Sequence, residues 1–157
     1  MKTSARGLAL VEEQEELMLR AYDDARPHFI LKAGDQVVGT LTGGYGHTGG
    51  DVHIGMTITR ELASQWLAKD LCAAETEIGK CVTRTLNQNQ FDALVDFTFN
   101  EGAGRLRHST LLQRINSGAP DGVISSEFKV WDIALGRPLP DLVRRRAAEV
   151  ALWETPL

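Results

Sequence analysis

A chain of 157 residues has the length of one domain with a real core, and 43% hydrophobic and 24% charged residues describe a globular protein rather than a disordered or fibrous one. The formal net charge of -4 excludes a global basic field for nucleic acid. No window approaches the roughly 18 apolar residues of a membrane span, which argues against stable insertion in a bilayer.

Charge is mildly uneven: residues 1–100 carry nine Lys/Arg against fourteen Asp/Glu, and residues 101–157 carry eight against seven. The N-terminal MKTSARGLALVEEQEE lacks an apolar run long enough for a signal peptide, so synthesis in the cytoplasm is expected. Cys72 and Cys81 are too few for a disulfide scaffold, lack a CxxC spacing, and read as mostly buried thiols.

Along the chain, Leu8, Val11 and Glu15 share one face by i, i+3, i+7 spacing, which predicts a helix over residues 7–19. It places Glu15 beside the apolar face and Glu12, Glu13 and Glu16 nearer solvent. Residues 22–47 are punctuated by Pro27, Gly34, Gly39, Gly43 and Gly44. The β-prone runs HFIL, QVV and TLT between them predict a small antiparallel sheet. Thr57 or Thr59 is suited to cap a long helix with apolar Leu62, Trp66, Leu67, Leu71 and Ile78. Asn87 with Gln90 forms a capping-box pattern ahead of Phe91, Leu94 and Val95, and Gly102-Ala103-Gly104 reads as the turn that follows. Ser109 opens a further helix closed by Gly118. Ala119-Pro120-Asp121 precedes one carrying Ile124, Phe128 and Trp131. Pro140 begins a closing helix that ends at Trp153.

These elements predict an α+β fold. A small β-sheet N-terminal lobe (about 1–56) is joined by a long helix (57–80) to an α-helical C-terminal lobe (81–157), all within a single domain.

Glu15 on a helix and Asp24 just past it suit acid/base chemistry on a bond that needs both leaving-group protonation and water activation, as glycosidic bonds do. With 21 acidic residues in the chain, spacing alone does not separate such a pair from solvated surface acids. The glycines at 43, 44, 46, 49 and 50 lack the Lys-Ser/Thr of a phosphate loop and read as a turn-rich sheet edge.

The ordered segments ELMLRAYDDA, TGGYGHTGGDV, GMTIT, LNQNQFDALVDFTFNEGAG, STLLQRIN and PLPDLVRRRAAE change that balance. Over about residues 7–153 the chain resembles the phage-type lysozymes, or endolysins, of glycoside hydrolase family 24, the family of the T-even and lambdoid-type phage lysozymes. The resemblance implies a lysozyme-like fold and hydrolysis of the β-1,4 link between N-acetylmuramic acid and N-acetylglucosamine in peptidoglycan. It matches Glu15 to the general acid, and Asp24 to the second carboxylate. Thr42 matches the Thr that helps hold the attacking water, with inversion at the anomeric carbon. It further implies Phe99, Thr110 and Tyr45 as substrate-binding positions, His47 as a structural residue paired with an acid, and Arg145 as the partner of the catalytic Glu. No metal or cofactor is implied. The expected life history is that of a monomer held in the host cytoplasm, released with a holin, and acting on the periplasmic cell wall.

The sequence departs from the family pattern at Glu16 and Asp141, where Gly is usual, and at Gly43, where Ile is usual. Asp24 and Thr42 stand eighteen residues apart, which reads as a longer hairpin. Two other functions stand beside the muramidase: a catalytically weakened wall-binding homologue, suggested by Glu16 and Gly43, and a zinc amidase, which would need ligands among His28, His47, His53, His108, Cys72 and Cys81 without any HExxH or paired CxxC spacing.

Overall fold

The computed structural model describes residues 1–134 and 136–157. In chain order its elements are α1 (Ala5–Gln14), β1 (Met18–Asp23), β2 (Leu41–Gly44), β3 (His47–Thr48), α2 (Arg60–Cys81), α3 (Gln88–Glu101), α4 (Ala103–His108), α5 (Thr110–Asn116), α6 (Asp121–Lys129), β4 (Ile133–Ala134), β5 (Arg137–Pro138) and α7 (Pro140–Trp153). The architecture is α+β, a small antiparallel sheet followed by helices, as the sequence implies. Two compact units can be distinguished: Val11–Asp70, and Met1–Leu10 together with Leu71–Leu157.

The sheet-bearing unit departs from the expected secondary structure at both ends of its sheet. The first helix stops at Gln14 rather than Leu19, and residues 18–23 form a strand instead. Beyond Gln14 the apolar period changes from helical to alternating, with Ala21 and Asp23 buried and Tyr22 half-buried between them. Pairing with β2 satisfies the backbone of this stretch: Tyr22 lies opposite Thr42, and Asp23 opposite Leu41. A register irregularity between Met18 and Tyr22 bends β1, so that Arg20 bridges to Thr57 and the Ile58 N–H donates to the Leu19 carbonyl at 3.0 Å.

The runs HFIL and QVV are not strands; residues 24–40 form an excursion of turns between β1 and β2. Each run is bounded by groups that bond more strongly to side chains than to a neighbouring strand, as the Asp23 carboxylate illustrates below. β2 and β3 pair through Thr42 with Thr48 and Gly43 with His47, and the turn between them uses Gly44 and Gly46 at φ 61 and 89.

Gly43, where a β-branched residue is usual for the family resemblance, does not leave a hole. A Cβ there would lie 2.4 Å from Ile58 Cδ1 and 3.6 Å from both Val52 Cγ1 and Trp66 Cζ3. The missing side chain is replaced by Ile58, itself 1% exposed.

In the helical unit the local signals hold. Asn87 and Gln90 complete a reciprocal capping box on α3, and the Ser109 hydroxyl accepts the Leu112 N–H at the start of α5. Pro140 begins α7, and Trp153 ends it. Thr59 caps α2 in the same way, its hydroxyl accepting the Leu62 N–H at 3.2 Å. The core is aromatic at its centre, with Phe97 edge-on to Phe128 at 5.6 Å and to Trp131 at 5.4 Å.

Three local expectations are corrected here. Residues 103–108 are a short helix rather than the continuation of a turn, since burial of Leu106 outweighs the flanking glycines. Trp131 lies past the end of α6. Cys72 is exposed and Cys81 half-buried, because both sit beside rather than on the α2 stripe formed by Leu71, Ala74 and Ile78.

If Ile58 fills the space of a residue-43 side chain, Gly43→Ile should destabilise the fold by about 1–3 kcal/mol through overpacking. Adding Ile58→Ala should recover part of that loss, giving a favourable coupling in a denaturant-unfolding double-mutant cycle. Strict additivity of the two changes would show that Ile58 is not the replacement.

Candidate active site

All three proposed catalytic residues lie in the sheet-bearing unit. Glu15 is not inside the helix as the sequence suggested; it is the residue just after α1, half-buried, its N–H bonded to the Val11 carbonyl at 3.1 Å. Its neighbours are differently disposed. Glu12 accepts a short hydrogen bond from the Ser64 hydroxyl, while Glu13 and Glu16 are exposed.

Asp24 follows the last residue of β1 and is exposed. Its Oδ1 accepts the Thr40 N–H at 2.6 Å, and its own N–H donates to the Thr40 carbonyl at 3.1 Å. Thr42, on β2, is 4% exposed, and its hydroxyl donates to the same Thr40 carbonyl at 3.1 Å. Because Tyr22 and Thr42 are directly opposite in the ladder, their side chains share one face of the sheet. The half-buried Tyr22 phenol is held above its ordinary pKa, first by burial and then by the negative charges of Glu16, Asp24 and Glu15. Tyr22 is thus opposite Thr42 in the ladder and feels the charges of Glu16, Asp24 and Glu15.

Asp23 behaves quite differently from its neighbour. Its carboxylate is 0% exposed and accepts the N–H groups of Ala25, Val38 and Gly39 at 3.1, 2.9 and 2.9 Å, together with Arg26 Nε and Nη2 at 3.0 and 2.9 Å. The Val38 N–H leads the groups that lower its pKa to about 2, against the opposing effect of burial. The anchor therefore stays ionised and intact above the ordinary carboxyl range, and is lost only as the pH falls toward 2. Nothing in the sequence pointed to Asp23 as the residue that closes the loop.

His47 is 4% exposed and bonded at both ring nitrogens, Nδ1 to Asp70 at 2.8 Å and Nε2 to Asp51 at 3.0 Å, with the Trp66 ring stacked 4.6 Å away. Burial opposes its charged form, but the two carboxylates outweigh burial and raise its pKa above the ordinary value. An imidazolium bonded on both sides has no lone pair to offer a substrate, which supports the structural role over that of a base. The partners Asp51 and Asp70 were not singled out in the sequence.

Tyr45 is only 8% exposed, its phenol near Glu12 and Arg60 and raised in pKa chiefly by burial. Little of its surface is open to solvent, so most of its ring packs within the protein. Phe99, Thr110 and Arg145 belong to the helical unit. Phe99 is half-buried in the last turn of α3, and Thr110 is exposed as the first residue of α5. Arg145 is buried on α7, where its Nε and Nη2 donate to the Asp96 carboxylate at 3.0 and 2.8 Å. Among the described residues, no group of three or more His, Cys, Asp or Glu side chains is arranged to hold a metal ion.

Comparison with known proteins places the chain in a family. The phage lysozyme family model matches residues 13–149. The chain is 36% identical over 159 residues to the endolysin of Acyrthosiphon pisum secondary endosymbiont phage 1, covering 99% of both. It is 35% identical to the endolysin of Salmonella phage P22, covering 98% of both. A solved structure of P22 lysozyme superposes with a TM-score of 0.83 at 32% identity, over 99% of each chain. The endolysin of Bacillus phage PZA is 34% identical across 99% of this chain, which spans 56% of that protein's length. Shorter likenesses, over 119 residues, extend to SAR-endolysins such as that of bacteriophage PS119. The α+β architecture is thus lysozyme-like. The chain belongs to the phage lysozyme family, glycoside hydrolases that serve as endolysins in degrading peptidoglycan for host lysis.

The His47 bonds favour the charged ring, so the stability they contribute is complete below about pH 6.5 and is lost as the pH rises through the elevated pKa. The gap in melting temperature between the parent and His47→Gln should therefore be wide near pH 5 and narrow by about pH 9. A gap independent of pH would show that the ring is not held charged.

Proposed function

We propose that this protein is a muramidase that cleaves the β-1,4 link between N-acetylmuramic acid and N-acetylglucosamine with inversion, using Glu15, Asp24 and Thr42. Glu15 protonates the glycosidic oxygen as the bond to the anomeric carbon breaks. Asp24 and Thr42 hold a water on the opposite face of the sugar; its oxygen bonds to the anomeric carbon and its proton passes to Asp24. Asp24 then releases its proton to solvent, and Glu15 regains one from it.

The observation that carries this reading is the contrast between two adjacent acids. Asp23 is buried and fully bonded, whereas Asp24 is exposed, with Oδ1 fixed by one backbone N–H and a second oxygen left for water. Thr42 is tied to the same Thr40 carbonyl, so the two water-holding side chains share one backbone reference point. The charges of Glu15 and Asp24 both act on Tyr22, which supports their convergence.

No helix among the described residues is long and apolar enough to cross a membrane. By its kinship with phage endolysins, and not from that absence, we place the protein in the host cytoplasm until a separate holin breaches the inner membrane, and as a monomer on the cell wall thereafter.

Mass spectrometry of peptidoglycan digests tests the chemistry. The parent should generate muropeptides with new reducing N-acetylmuramic acid ends, and Glu15→Gln should slow their release by about 10²–10⁴-fold with the fold retained. Undiminished release by a folded Glu15→Gln would falsify the assignment. Early products followed by proton NMR should carry the α-anomer first; a first-formed β-anomer would mean retention.

A further inference from the structure

If Asp24 directs the attacking water, its carboxylate must be held in one orientation, yet nothing in its own element does this. It is exposed, in a turn beyond the end of β1, where a carboxylate ordinarily samples several rotamers. Its orientation comes instead from the far end of the excursion. The Thr40 peptide does two things at once: its N–H binds Asp24 Oδ1, and its carbonyl accepts both the Asp24 N–H and the Thr42 hydroxyl. Thr40 is itself placed by the two residues before it, whose N–H groups both end on the Asp23 carboxylate.

Gly39 gives an independent sign of what this arrangement is for. Its backbone is not in the left-handed region, so conformation does not demand glycine there. Space does: a Cβ at residue 39 would lie 2.0 Å from Asp24 Oδ1, and 2.9 Å from both the Cβ and the backbone nitrogen of Ala25. The volume a side chain would take is the volume the Asp24 carboxylate occupies. Arg26 completes the closure by bonding Asp23 with Nε and Nη2, and by donating from Nη2 to the Gln36 carbonyl at 2.7 Å.

We infer that Asp23 and Gly39 are positioning residues for the reaction: Asp23 fixes the Thr40 peptide that orients Asp24 and Thr42 together, and Gly39 leaves room for the Asp24 carboxylate in that orientation. This rests on the reading of Asp24 as the water-directing group. Neither residue touches substrate; each acts through Asp24.

Gly39→Ala tests this directly, because residue 39 lies outside the left-handed region and the added methyl meets Asp24 Oδ1 first and Ala25 next. On a soluble peptidoglycan fragment its kcat should fall by about 10–10²-fold with KM within about twofold. The Thr40 amide proton should move upfield in NMR spectra as its bond to Asp24 lengthens. Asp23→Asn should shift both readouts in the same direction, and kcat is to be expressed per folded molecule so that lost stability does not imitate lost positioning. Asp24→Asn, run alongside, separates the two levels of the argument. If Asp24→Asn is inactive while folded Gly39→Ala keeps the parent kcat, the positioning inference fails and the catalytic reading stands. If Asp24→Asn keeps the parent rate, both fail.

Discussion

The buried carboxylate of Asp23 is the interaction on which the sheet-bearing unit depends. Residues 24–40 contain little regular structure, and ordering such a stretch costs about 1–2 kcal/mol per residue in backbone entropy alone. One ionised group collects three N–H groups and an arginine from both ends of the stretch, closing it at its base. Burying a carboxylate is costly unless every lone pair is used, and five donors use them here. The two strands it joins then keep the register in which Thr42 faces Tyr22.

The helical unit solves a related problem with more charges. Asp96 and Arg145 pair in its interior, while Arg146 bonds Glu149, Glu101 and Asn100 and lies 5.0 Å over the Phe97 ring. Glu149 is held well above the ordinary carboxyl range, by burial first and by Asp96 next. Burial and the nearby Asp96 charge thus disfavour the ionised form of Glu149, while its bond to Arg146 favours it. Breaking one member of such a set leaves an uncompensated charge, which is why this core is specified by arginines as firmly as by Phe97, Phe128 and Trp153.

What was legible in the sequence follows from range. Caps and stops that act over three or four residues, such as Asn87 with Gln90, Ser109, Gly118 and Pro140, were readable because the chemistry is local. So was the α+β order. The fate of residues 15–23 was not, since the helical spacing of Leu8, Val11 and Glu15 continues past the point where pairing with a strand twenty residues downstream takes over. Glu15, Asp24 and Thr42 were named through motif resemblance. The residues that orient them were invisible because Asp23 reads as a duplicate of Asp24, and Gly39 as one more loop glycine. Gly43 was misjudged for the same reason: its substitute, Ile58, comes from fifteen residues away. The burial of Tyr45 was not legible either, because an aromatic in a glycine-rich turn gives no indication of which side it faces.

Closing a loop at its base also frees its tip. Gly34 lies within the Lys32–Asp35 turn, with φ 94 and nothing within 4 Å of where a side chain would begin, and that turn is closed by the Lys32 N–H on the Asp35 carboxylate and the Asp35 N–H on the Lys32 carbonyl. None of the bonds made by Asp23 or Asp24 involves residues 32–35. Extra sequence spliced at this tip enters a segment already insulated from the strands, at a cost that grows only with the logarithm of its length. A closed base with an open tip thus makes the outer turn a natural graft point, where an inserted peptide could be carried without passing its disorder on to the paired strands.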